Sequence, residues 1–227
     1  MSQADQSRTD DVEPDGDDSH DGDLRAGDPQ DEDMVELDLR APIWDRVFTV
    51  APLVVVGTRE GDGFDLAPKH LAMPLGWSGH FGFVCTPSHG TYRNAREHGS
   101  FTVSYPGPDQ VLVTSLSAAP RCGEGEATPG LPSLPTAPAL EVEGRVLRHA
   151  RLVLECELDR IIDDLGGGSL IVGRTVAARA HREALRVTGV DDEEVVGRSP
   201  LLAYLNPGRY ARISDSHAFP LPEGFRR

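Results

Sequence analysis

The chain reads as a β-barrel or sandwich, all-β to α+β in class, with a few short helices. Three observations predict this. At least six segments carry strand patterns, either alternating apolar and polar or briefly all apolar. Turns rich in glycine and proline separate them. Strands do not alternate regularly with helices, as a parallel sheet would require.

The N-terminal stretch stands apart. Fifteen of the 37 acidic residues but only Arg8 and Arg25 of the 22 basic ones precede Leu39, so 13 of the 15 net negative charges belong there. With almost no aromatic or branched residues before Met34, it cannot bury enough apolar surface to offset its ordering entropy. Residues 1–38 are expected to be a disordered acidic tail, and 39–220 the folded domain. The tail lacks the basic start and apolar centre of a signal peptide. Nowhere do eighteen apolar residues follow one another, so a soluble, cytoplasmic protein with no membrane partner is expected. The near-neutral domain carries no basic stripe, which argues against nucleic acid as a partner.

Within the domain, Phe48 to Val56 predicts the first strand, and its run Pro52-Leu53-Val54-Val55-Val56 predicts burial on both faces. The turn E-G-D-G-F follows. The chain then runs extended over 64–67 and 70–73, with Pro68 barring a place in the middle of a sheet. Phe81, Phe83 and Cys85 alternate onto one face of the next strand. Thr91 to His98 predicts a short helix, with Thr91 as its cap and Gly99 in the left-handed position after its end. Strands at 101–105 and 111–115 are expected next.

From Ala118 to Gly144, five prolines and four glycines predict a lid or a mobile insertion. Leu152, Leu154, Cys156 and Leu158 then alternate, which turns Arg151, Glu155, Glu157 and Asp159 outward. The turn D-D-L-G-G-G-S joins this strand to another in which Leu170, Val172, Val176 and Ala178 share a face, making a long hairpin. The D-D-E-E run near Asp191 reads as a solvated loop.

The stretch from Gly57 to Asn94 concentrates the chemistry. Two loops that leave strands and one helix start lie within it, and such places leave backbone N–H groups free to face an anion. Lys69, His70, Ser88, Thr91 and Arg93 stand beside them, a set suited to the phosphate of a cofactor. Lys69 is the only lysine, against 21 arginines. Cys85, Cys122 and Cys156 are far apart and form no Cys/His ligand spacing, so neither a metal site nor a disulfide framework is expected.

Four stretches, in this order, resemble the flavin reductase-like family, whose fold is the FMN-binding split barrel. They are G-T-R-E-G-D-G-F-D-L-A-P, S-H-G-T-Y-R-N-A, L-E-C-E-L and S-L-I-V-G-R-T-V-A-A, with G-R-Y near Tyr210 as a weaker match. The resemblance implies a homodimer with FMN in a cleft near the subunit interface, reduced by NADH or NADPH, and a monooxygenase or another acceptor for the electrons. Carried over by position, Asp65, Leu66, Ala67 and Pro68 would meet the isoalloxazine edge, largely through backbone groups. Lys69, His70, Thr91 and Asn94 would lie toward the ribityl phosphate, beside the Ser88 already singled out for an anion.

Two positions depart from the family pattern. Asp65 stands where many members have Asn, and Gly168 where many have His, so no residue is assigned to hydride transfer. The leading expectation is an NAD(P)H-dependent flavin reductase. The alternatives are a flavin-binding electron carrier without a nicotinamide site and a barrel that serves as an interaction module without flavin.

Overall fold

A computed structural model describes residues 34–118, 133–222 and 224. The chain divides into two units, Met1–Ala41 and Pro42–Arg227. Most of the acidic segment expected to be disordered lies outside the described residues. Within 34–41, the Arg40 guanidinium donates from Nε and Nη2 to the two Asp38 carboxylate oxygens, at 2.9 Å each.

The second unit is built on a seven-stranded antiparallel sheet. Its strands are β2 (Val54–Glu60), β3 (Gly63–Lys69), β4 (Ala72–Leu75), β5 (His80–Cys85), β6 (Ser100–Tyr105), β9 (Leu152–Leu165) and β10 (Gly168–Ala180). They lie in the order β3-β2-β6-β9-β10-β5-β4. The two edge strands, β3 and β4, are consecutive in the chain and joined only by His70 and Leu71. Three peptide units span at most about 11 Å. A sheet whose opposite edges approach that closely must curl, so the architecture is a barrel left open along one seam.

A three-stranded sheet combines β1 (Thr49–Pro52), β11 (Leu201–Asn206) and β12 (Arg209–Ile213) in the order β1-β11-β12. The strand expected over 48–56 is therefore two strands in different sheets, separated at Leu53. A two-stranded ribbon pairs β7 (Thr136–Pro138) with β8 (Arg145–Leu147).

Alternation along the strands sends side chains to two cores. Val54, Val56, Phe81, Phe83, Phe101, Val103, Cys156 and Ile171 fill the barrel interior. Phe83 and Phe101 meet edge-to-face at 5.2 Å, an arrangement that aromatic quadrupoles favour. Gly173 is required there, because a Cβ at that position would fall 2.5 Å from Phe101 Cζ. Val55, Leu66 and Val153 point the other way and meet Leu134, Val146 and Leu147. Val54, Val55 and Val56 are all fully buried, as the apolar run predicts.

Five expectations are corrected. Residues 111–116 form helix α2 (Val111–Leu116), not a strand. Gln110 stabilises this helical turn by accepting from Gly107 N at 3.3 Å and donating to the Arg148 carbonyl at 2.7 Å. The acidic run near Asp191 starts helix α3 (Asp192–Arg198). Asp191 caps it by accepting from Glu193 N at 2.8 Å, and acids in the first turn with Arg198 in the last match the helix dipole.

The β9–β10 ladder shifts register between Val172 and Gly173, where the extra residue is Asp159 of β9, and between Thr175 and Ala177, where it is Val176 of β10; the second shift changes which face the rest of β10 presents. Leu170, Val172, Val176 and Ala178 therefore do not share one face. Glu155 does not point to solvent but is fully buried. The described part of the proline-rich insertion, from residue 133, is a packed cover on the sheet and not a lid. Residues 119–132 and Cys122 lie outside the described residues.

Candidate functional site

The site builds outward from edge strand β3. Its register sets Asp65 opposite Thr58, Ala67 opposite Val56 and Lys69 opposite Val54. Alternation therefore puts Asp65, Ala67 and Lys69 on the interior side, while Leu66 and Pro68 face the outer side. Asp65 and Leu66 are buried, and Ala67, Pro68, Lys69 and His70 are half-buried. Pro68 lies within the strand, paired with Val55; this is permitted because β3 is an edge strand. Among the described residues β3 pairs with β2 alone, so alternate backbone N–H and C=O groups along it face away from the sheet.

The second element is helix α1 (Gly90–His98), which packs on β2 and β3. It begins one residue before the expected Thr91, with His89 in the N-cap position and its side chain making no capping hydrogen bond. Thr91 lies inside the first turn and is buried. Gly99 ends the helix at φ 66°, the left-handed conformation that favours glycine. Asn94, also buried, donates its Nδ2 to Thr58 Oγ1 at 3.2 Å and so ties the helix to β2. Ser88 is exposed in the preceding turn, and its carbonyl accepts from Arg93 Nη1. Tyr92 donates its hydroxyl to Asp163 Oδ1 at 3.0 Å, which fixes the helix against the β9–β10 hairpin.

Positive charge gathers where these elements meet. Burial holds His70 below the ordinary value of 6.5, and the charge of Lys69 adds to the effect. His89 is lowered in the same direction by burial, then by Lys69 and Arg93. Lys69 Nζ lies 3.4 Å from Cys85 Sγ, at the inner end of β5. The start of α1, at His89, therefore has Lys69 and Arg93 close enough to act on it, and cations beside a helix start suit a phosphate. These residues fit the phosphate end of FMN, and the outward backbone groups of β3 fit the hydrogen-bonding edge of its ring.

A cavity of about 290 Å³ adjoins Pro68 and His70. Its other walls include Tyr204, Thr114 and Ser115, which the sequence does not single out for a site, and Gly208, Arg209 and Tyr210 of the G-R-Y stretch. The Tyr204 ring lies 4.6 Å from the His70 ring, tilted by 32°. Only G-R-Y near Tyr210 hinted at this wall. The β11–β12 hairpin belongs to the smaller sheet, and a linear reading of the chain does not bring it beside β3.

At Gly168, a Cβ would lie 2.9 Å from Val84 Cγ1, so the backbone there leaves little room for the histidine of the family pattern. Among the described residues, no group of three or more His, Cys, Asp or Glu side chains could hold a metal ion, and no helix is long and apolar enough to cross a membrane.

Comparison with known proteins matches residues 47–214 to the family described as flavin reductase like domain. No curated protein matches the sequence. Among solved structures, the fold is similar to that of flavoredoxin from Methanosarcina acetivorans, with a TM-score of 0.67, 18% identity, and coverage of 84% of this chain and 96% of that one. An FMN-binding protein from Thermus thermophilus is also similar, with a TM-score of 0.67 and 20% identity over 82% of this chain and 99% of that one. So is nitrilotriacetate monooxygenase component B from Bacillus cereus, with a TM-score of 0.69 and 18% identity over 82% and 98%. At these identities the likeness establishes the fold.

Proposed function

The chain belongs to the flavin reductase-like family, and from that premise we propose that it holds FMN and acts as an NAD(P)H-dependent flavin reductase. The observation that carries this reading is the meeting of an edge strand with a helix start, His89 at its N-cap, on which Lys69 and Arg93 both act. Bound FMN supplies the redox chemistry, and the protein supplies position and charge. The outward N–H and C=O groups along 65–68 hold the ring edge. Lys69 and the first N–H groups of α1 hold the phosphate. Asp65 and Asn94 keep the strand and helix in place from below, both buried beside Thr58. The cavity at His70 and Tyr204 takes the nicotinamide.

The protein works as a homodimer in the cytoplasm, passing electrons to a monooxygenase or another acceptor. A second copy covers the apolar surface beside β4, where Trp77 is 95% exposed and Leu71 and Met73 are more than half exposed. Sedimentation should give twice the chain mass; a monomer at all concentrations would exclude the dimer.

An absorbance spectrum before and after anaerobic addition of NADH, then NADPH, tests the reductase reading. Flavin bands that bleach with either nucleotide support it, whereas stable binding of FMN without bleaching sinks it. The double substitution Lys69→Ala, Thr91→Ala tests the placement of the phosphate. FMN affinity should fall by more than riboflavin affinity, since each charge-assisted hydrogen bond contributes roughly 1.5–3 kcal/mol. Equal losses would move the phosphate elsewhere.

The crowding at Gly168 favours a second reading, an electron carrier that holds flavin but has no nicotinamide site. That reading predicts stoichiometric FMN, reduction by a protein partner and no saturable dependence on NADH or NADPH.

A further inference from the structure

A second cavity, of about 330 Å³, shares no lining residue with the one at His70 and Tyr204. Arg151, Arg198, Arg212, His149, His181 and Ser199 line it. They come from four separate places in the chain: the start of β9, the segment after β10, the end of α3 and strand β12. The fold thus gathers three guanidinium groups into one concavity of a unit whose charges are otherwise nearly balanced.

The three arginines are not equivalent. Arg151 is half-buried and held on three sides: its N–H donates to the Tyr105 carbonyl, its carbonyl accepts from His181 N, and its Nε donates to Ser199 Oγ, each at 2.8 Å. Burial alone pushes its guanidinium down from the ordinary arginine value, with no carboxylate opposing the shift. Among the described residues, neither Arg151 nor Arg212 forms an ion pair, and Arg198 reaches only Glu194, at 3.7 Å. His149 adopts φ 62°, an uncommon backbone conformation outside glycine.

Two carboxylates, Asp109 and Glu183, also line the cavity. Glu183 lies 3.9 Å from His181 Nδ1, which also accepts from Glu183 N at 3.4 Å. Among the described residues neither acid forms an ion pair with the three arginines, of which Arg198 alone has a carboxylate partner, Glu194, so both offer acceptors for a ligand that carries hydroxyl or amino groups beside its charge.

A partly buried guanidinium with no counter-ion is costly to hold, and an oxyanion that accepts two parallel N–H bonds offsets that cost. Arginine forks match the tetrahedral oxygens of a phosphate, and several can share one group. We propose that this cavity binds a small phosphate-bearing molecule with further polar groups, of sugar-phosphate or nucleotide size, separately from the flavin. The rigidly held Arg151 is the anchor, Arg198 and Arg212 close over the phosphate from the more exposed side, and Asp109 and Glu183 accept from the neutral portion. The assignment is independent of the flavin reading, because it uses none of the same residues.

The test is calorimetric titration of the full chain with pyrophosphate, in parallel with citrate, FMN and riboflavin. Pyrophosphate should bind saturably at one site per chain, more weakly as salt rises. Arg151→Gln and, separately, Arg198→Gln combined with Arg212→Gln should each weaken it by at least tenfold while FMN affinity stays unchanged. Arg198 and Arg212 are exposed, so their variant keeps the test decisive should Arg151→Gln fail to fold. The proposal is overturned by absence of pyrophosphate binding, by equal binding to the exposed-arginine variant, or by citrate binding in place of pyrophosphate. It is also overturned if these variants lose FMN affinity but keep riboflavin affinity, which would make the cavity the flavin's own phosphate socket.

Discussion

The two faces of the seven-stranded sheet are held by different physics. The inner face is closed mainly by apolar contact: Phe81, Phe83, Phe101, Cys156 and Ile171 are nearly or completely inaccessible and belong to one hydrophobic cluster. The outer face is covered by the 133–150 segment, and much of that cover is fastened by hydrogen bonds from buried strand side chains to its backbone. Thr102 donates its hydroxyl to the Arg145 carbonyl at 2.6 Å, and Ser104 Oγ accepts from Leu147 N at 3.0 Å. Glu155 accepts from the N–H groups of Leu140, Glu141 and Val142 and from Arg179 Nη2. The inner face needs volume and shape, whereas the outer face needs partners at particular atoms. Among the described residues, no buried side-chain polar atom lacks a partner.

Substitutions can separate the two faces. The largest effect belongs inside: Phe101→Ala leaves a cavity beside Phe83 and Gly173 and should cost about 4 kcal/mol in denaturant unfolding. Next is Glu155→Ala, which leaves three backbone N–H groups and a partly exposed arginine without their acceptor. It should cost about 3 kcal/mol, and Glu155→Gln should restore only part of this. If Glu155→Ala is as mild as a surface change, the cover is held by Leu134, Val146 and Leu147 instead. Thr102→Val, close in shape, isolates one polar fastening and should cost about 1 kcal/mol. Hydrogen exchange should then rise across 136–147 but not in β5.

The smallest effect is one of pH. The folded chain holds His70 and His89 below 6.5, chiefly by burial, so the unfolded chain takes up their protons more readily. Their contribution is intact above about pH 6.5 and is lost as pH falls from there through the lowered folded values. The double variant His70→Gln, His89→Gln should flatten the fall in melting temperature between about pH 7 and pH 5.5. An unchanged slope would place the acid sensitivity elsewhere.

The same contrast explains what could be read from the amino acids. Apolar alternation at Phe81, Phe83 and Cys85 and the triple-valine run depend only on which side chains are oily, and both were legible. Alternation turns Glu155 toward solvent because it gives the face but not what covers it, and the cover comes from a proline-rich stretch with little regular pattern. The bulge at Val176 of β10 breaks the two-residue period without any residue type that announces it. Residues 111–116 look like a strand by composition, and the bonds of Gln110 override that preference. At the candidate site, β3 and α1 were legible because they lie close together in sequence. The wall at Tyr204 was not, since it arrives from more than a hundred residues away, and G-R-Y alone does not place it beside β3.

Lys69 gives the molecule a built-in reporter. It is the chain's only lysine, so the only side-chain amine in the protein is the one at the end of β3, half-buried beside Cys85. An amine-selective acylating reagent therefore has a single side-chain target, with the terminal amine as internal standard. The ratio of the two products, read by intact mass, measures how accessible this point of the seam is, without any substitution and in any mixture of ligands.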